Sequence, residues 1–239
     1  MPGAPMPLVR NAIAAAALAL ATQAALCQPT NMTAGEVALT HPVCEDAQGM
    51  PAGWVQHFRH SPRAPYWESL MGKTFWAVHH YCWALIHLQR AARPGLTKQD
   101  RDHMVRVAIG DFYYVVNDAK REGNDKFVLL PELYYRAGEA YVVLGEYPQA
   151  IAEFERSRQA KADYWPPYVA QAQLHVKLGM RTQARELLDA GLALMPDEPA
   201  LQEALRKAQA GAAAEPRRGQ PRPPPRATAA GSAPAAVPR

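Results

Sequence analysis

Cysteine is scarce in this chain: three occur in 239 residues, Cys27, Cys44 and Cys82, and no two make a Cys-x-x-Cys pair. That excludes a thioredoxin-type redox site and a haem-attachment site. His-Glu-x-x-His and Gly-x-Ser-x-Gly are both missing, as is a glycine-rich loop ahead of a Lys-Ser/Thr pair. With them go the templates for zinc proteolysis, nucleophile-elbow acyl transfer and phosphate cradling. Acidic pairs do occur, at Asp100/Asp102 and Glu153/Glu155, but at positions expected on solvated helix faces. Glu122 and Asp125 fall in a polar turn. No catalytic residue, cofactor or metal is assigned, and the chain reads as a non-enzyme.

What is present is a repeat. Residues 134–164 and 168–198 carry the same pattern at a period of 34. Tyr134 answers to Tyr168, Leu144-Gly145 to Leu178-Gly179, and Ala150 to Ala184. A fixed period of this length denotes stacked helical hairpins, each burying its apolar face only against a neighbour. Small residues at Gly138 and Ala150 let two antiparallel helices approach. Tyr134, Tyr141 and Phe154 fill the remaining space. Gly145 and Gly179 stand where the first helix of each unit must stop.

These residues resemble the tetratricopeptide repeat, whose pattern runs aromatic, small residue, Gly, Tyr, then Ala and Phe. Tyr134, Gly138, Tyr141, Ala150 and Phe154 fit it in the first unit. The second unit, closed by Pro196, is more degenerate: Ala172, His175 and Leu188 replace Gly, Tyr and Phe, while Ala162 replaces the closing Pro of the first. The resemblance implies an all-α short solenoid of antiparallel hairpins whose first helices line a concave groove. It implies groove positions at Tyr135, Glu139 and Val142 in the first unit and Val169, Gln173 and Val176 in the second. Such a strip suits a peptide segment of a protein partner. A carboxylate clamp of Lys and Asn, known in some members, is not matched by Tyr135 and Glu139.

The rest of the chain is arranged around residues 131–198, the two units. Residues 66–130 read as a divergent hairpin: one helix from Tyr66 to Arg93, stopped by Pro94-Gly95, then a second that Thr97 caps. Residues 199–210 form an amphipathic helix that covers the last exposed face of the solenoid. Residues 211–239 hold seven prolines and five arginines against the single acid Glu215, and read as a disordered tail. That tail accounts for the whole chain's net charge of +4, so the folded body is near neutral and nucleic acid is not an expected partner. Weak contact of the tail with an anionic surface fits its composition.

Residues 1–24 have Arg10, an alanine-rich apolar run at 12–21 and a small-residue cleavage site, the plan of a secretory signal peptide. A periplasmic destination follows; an uncleaved anchor fits less well, and Leu26 argues against lipidation of Cys27. In an oxidising compartment Cys44 and Cys82 are expected to pair, pinning an extended leader, 25–65, onto the helices. The remaining temptation is His79-His80-Tyr81-Cys82-Trp83, with His87 a turn further on. No carboxylate accompanies these residues in sequence, and spacing does not recruit His57, His60 or His103. A metal or redox function centred there stands as the alternative to an adaptor in envelope assembly or secretion. A lesser alternative is that the leader, residues 25–65, fills the groove itself and nothing else binds there.

Overall fold

The computed structural model describes residues 32–48 and 61–213, and among them there is helix and no strand. Two short helices, α1 (Ala34–Ala38) and α2 (Val43–Gln48), precede α3 (Ala64–Met71). Three hairpins follow: α4 (Val78–Ala91) with α5 (Lys98–Arg121), α6 (Leu130–Leu144) with α7 (Tyr147–Ala160), and α8 (Pro166–Lys177) with α9 (Arg181–Leu194). Helix α10 (Pro199–Ala213) closes the row. From α4 onward each helix packs on its neighbours in sequence, and α8 also touches α6 and α10; α3 packs on α2 and on the 3-10 segment at Gly72–Ala77. This is the all-α solenoid that the 34-residue period predicts.

Proline starts and glycine stops these helices. Pro131, Pro148 and the Pro166-Pro167 pair sit in the first turns of α6, α7 and α8, where an amide hydrogen has no helical acceptor to lose. Gly145 (φ 77°) and Gly179 (φ 78°) end α6 and α8 in the left-handed region. Glu146 N–H donates to Tyr141 C=O at 2.9 Å and Gly145 N–H to Val142 C=O at 3.1 Å. Met180 and Gly179 repeat both bonds onto His175 and Val176, at 2.8 and 3.0 Å. These are two Schellman closures, one per unit.

Inside the hairpins, size is matched in pairs. A Cβ added at Gly138 would stand 2.6 Å from a ring carbon of Phe154, so the phenyl ring lies directly on the backbone of α6. One period later Ala172 has its Cβ, and the opposing residue is the narrower Leu188. The two departures of the second unit from the family pattern are one compensated exchange. Ser157, fully buried, donates to Pro131 C=O at 2.6 Å and ties the end of α7 to the start of α6. Where the closing proline is missing, Tyr168 Oη donates to Ala162 C=O at 2.9 Å and holds the turn.

Two expectations need correction. The single helix over 66–93 is broken: α3 ends at Gly72 (φ 63°), a 3-10 segment runs Gly72–Ala77, and α4 begins only at Val78. Asn124 Nδ2 donates to Met71 C=O at 2.9 Å, so the break is held by the loop after α5. The leader, expected to be extended, forms helix over Ala34–Ala38 and Val43–Gln48. Thr33 and Glu36 form a reciprocal capping box around α1, at 3.1 and 2.8 Å. The Thr33-x-x-Glu36 spacing is a capping-box signal in the sequence itself.

The leader is part of the core. Val37, Val43, Cys44 and Ala47 are buried together with Phe75, Val78, Tyr81 and Phe112. A Cys44–Cys82 disulfide joins α2 to α4. Glu36 accepts from Arg90 Nε at 2.7 Å and from Arg93 at 2.7 Å. Hydrogen bonding from Arg90 outweighs the opposing effect of burial and holds its carboxyl down at about 2. Asp46, also buried, accepts from Ser61 at 2.7 Å, from Arg63 at 3.0 Å and from the Trp67 indole. The signal-like residues 1–24, Cys27, His57, His60 and the tail beyond 213 lie outside the described residues.

Candidate protein-binding groove

The first helices of successive hairpins, α6 and α8, present one face side by side. Glu139, Val142 and Val143 of α6 stand across from Ala170, Gln173 and Lys177 of α8, around an open cleft of about 390 Å³ with Phe154 at its floor. A second cleft, about 170 Å³, follows between α8 and α10: Gln173 and Val176 on one wall, Ala204, Lys207 and Ala208 on the other. Gln173 borders both, so the two clefts adjoin. Of the six groove positions expected from sequence, Glu139, Val142, Gln173 and Val176 line these clefts.

Tyr135 and Val169 line neither cleft. Tyr135 Oη donates to Glu139 at 2.6 Å, and its ring lies edge-on to Tyr164 at 6.2 Å. Burial raises the Tyr135 hydroxyl above its ordinary value, and the Glu139 carboxylate adds to the shift. Val169 turns toward Tyr168 and the α8–α10 core. Tyr135 therefore positions Glu139, and Val169 is a packing residue.

Lys177 borders the groove and was not anticipated, nor was a set of polar residues behind Glu139. Arg136 lies between Glu132 at 3.4 Å and Glu139 at 3.0 Å, and Tyr81 Oη donates to Glu132 at 2.7 Å. This polar chain runs from α4 to α6 and fixes the orientation of Glu139. Lys177 Nζ sits 4.9 Å from the centre of the Tyr147 ring, on the first turn of α7. Glu132 and Lys177 lie on the same helices as the expected positions, but only Lys177 lines a groove cleft. Only the packing of neighbouring hairpins shows which of these side chains turn into the cleft. Helix α10, expected only as a cover, supplies a wall of the second cleft.

The histidine-rich stretch sits elsewhere, on α4. Cys82 is consumed in the disulfide. His79 Nδ1 pairs with Trp76 C=O at 2.8 Å, and burial, helped by the nearby His80, lowers its titration to about 4. His80 Nδ1 pairs with Asp111 at 2.6 Å and its ring stacks on Tyr114 at 3.7 Å. Asp111 comes from α5, a carboxylate that no sequence neighbour supplies. Its own carboxyl is raised by burial against the lowering contact of His80. Among the described residues no group of three or more His, Cys, Asp or Glu could hold a metal ion. Nor is any helix there long and apolar enough to cross a membrane.

Residues 144–208 match the sequence model of the tetratricopeptide repeat. The match begins at the turn closing α6, covers α7 to α9, and enters α10. Over this stretch the chain is similar to the tetratricopeptide repeat, and the stretch contains the second wall of each cleft. No curated protein matches the chain.

Proposed function

We propose that this protein is a non-catalytic adaptor that holds a segment of another protein in the groove over α6, α8 and α10. On the sequence pattern of residues 1–24, it does so after export to the periplasm, in envelope assembly or secretion. The observation that carries the reading is the open cleft between α6 and α8. It is bordered by Glu139, Val142 and Gln173, the positions at which the repeat is expected to meet its ligand. The described part of the leader leaves this cleft open. Leu39, Thr40 and His41 lie at the other end, against Tyr81 and Leu85 of α4 and Glu132 of α6. A disulfide between Cys44 and Cys82 fits an oxidising compartment.

Val143→Asp with Gln173→Arg tests the groove, because both residues are exposed and their replacement leaves the core intact. A partner recovered with the wild-type protein from envelope fractions should be lost by this variant and kept by Arg185→Glu on α9. Retention of every partner by the groove variant would refute the reading. Periplasmic location is checked separately, by the oxidation state of Cys44 and Cys82 in cell fractions and by the N-terminal mass of the mature chain.

A further inference from the structure

The groove has a direction. At one equivalent position on three consecutive inner helices stand Glu139, Gln173 and Lys207, each 34 residues from the last. All three border the clefts: Glu139 and Gln173 the first, Gln173 and Lys207 the second. The side chains thus grade from acid through neutral to base along the path a bound segment would take. The two ends are not equally available. Glu139 is already satisfied by Arg136 and by the Tyr135 hydroxyl. At the far end Glu203 alone serves two cations, Arg206 at 2.7 Å and Lys207 at 3.3 Å. Lys177 meets the Tyr147 ring and no carboxylate among the described residues. Among the described residues, positive charge that is incompletely compensated therefore stands in both clefts: Lys177 in the first, beside Val142 and Val143, and Lys207 in the second, beside the apolar wall of Val176, Ala204 and Ala208.

Resting on the reading of this groove as a peptide receptor, we infer that its occupant is an acidic–apolar segment of another protein. Its carboxylates lie at Lys177 and Lys207, and its apolar side chains lie on Val142, Val143 and Val176. Charge complementarity selects this occupant over the chain's own termini. Residues 214–239 carry five arginines and one glutamate, the same sign as Lys177 and Lys207. The described leader is committed to α4. Like charge disfavours the first, and geometry removes the second.

The test is selection from a displayed library of random dodecapeptides by the full-length wild-type protein, by Lys177→Glu/Lys207→Glu and by Val143→Asp/Gln173→Arg. All four positions are exposed, and thermal melting checks that each variant keeps the wild-type fold. The wild type should enrich peptides combining Asp or Glu with Leu, Ile, Val or Phe. Affinity for the best of them, measured by fluorescence anisotropy, should fall about tenfold in the lysine variant. It should also weaken as salt is raised. Enriched peptides without an acidic bias, or an acidic bias unchanged in the lysine variant, would overturn the charge assignment and leave the groove reading standing. No enrichment by the wild type, or enrichment indifferent to Val143→Asp/Gln173→Arg, would overturn the groove reading and the inference with it.

Discussion

Gly138 and Phe154 show how finely one residue sets the approach of two helices. Alanine is the better helix former, by about 0.5–1 kcal/mol. Yet its methyl group at 138 would meet the Phe154 ring at 2.6 Å. Overpacking of that kind costs roughly 1–3 kcal/mol, so Gly138→Ala should destabilise the protein despite its propensity. Phe154→Leu alone should also destabilise, by leaving a cavity. Combined, the two reproduce the Ala172/Leu188 pair of the next unit. The double variant should therefore be more stable than the sum of the two single losses, by more than about 0.5 kcal/mol in urea denaturation. Strict additivity would mean that the ring moves aside freely. The small residue was legible in the sequence as a packing position. That its replacement must be accompanied by a narrower partner was not, because a repeat pattern records each position singly.

Among the elements, the leader helices departed most from expectation. Their stability rests on three local devices: the Cys44–Cys82 disulfide, the Glu36 cluster and the Asp46 cluster. A disulfide closing 38 residues stabilises by roughly 3–5 kcal/mol in the chain-entropy view. Cys44→Ala with Cys82→Ala should lower the melting temperature and let protease cut within residues 32–48 while α6–α10 stay resistant. Equal protection of the leader in both proteins would show the disulfide to be dispensable. Glu36 adds a pH dependence. Its folded carboxyl titrates near 2, below the ordinary 4.5, so the unfolded chain takes up the proton first as pH falls. The stabilisation is complete above about pH 4.5 and is lost as pH drops toward 2. Glu36→Gln should remove this part of the acid sensitivity, seen as a flatter plot of melting temperature against pH over that window.

For the molecule as a whole, the decisive feature is that no hairpin buries its apolar face alone. Leu201 and Ala208 of α10 complete the core begun by Tyr168, Ala172 and Leu188. Truncation after Glu198 should expose that core. The α8–α9 hairpin should then exchange its amide hydrogens faster than α4–α6, and unfolding should become less cooperative. Uniform exchange across all three hairpins in the truncated protein would contradict a nearest-neighbour solenoid. The same truncation removes Lys207 and one wall of the second cleft, so the helix that ends the fold also helps to form the groove.

The sequence by itself determined the solenoid. The 34-residue period, the stop glycines 145 and 179 and the small residues at 138 and 150 are local signals, and each acts through the backbone at its own position. It also marked Cys44 and Cys82 as a pair, and it singled out Glu139, Val142, Gln173 and Val176, which line the clefts. Tertiary structure decided what depends on distant partners. It broke the 66–93 helix at Gly72, brought Asp111 of α5 to His80, and turned Tyr135 and Val169 away from the clefts. It also set Lys177 and Lys207 on one groove. Periodicity fixes which face of a helix is buried. Which side chains on the remaining face meet across a cleft follows only from how neighbouring hairpins stack.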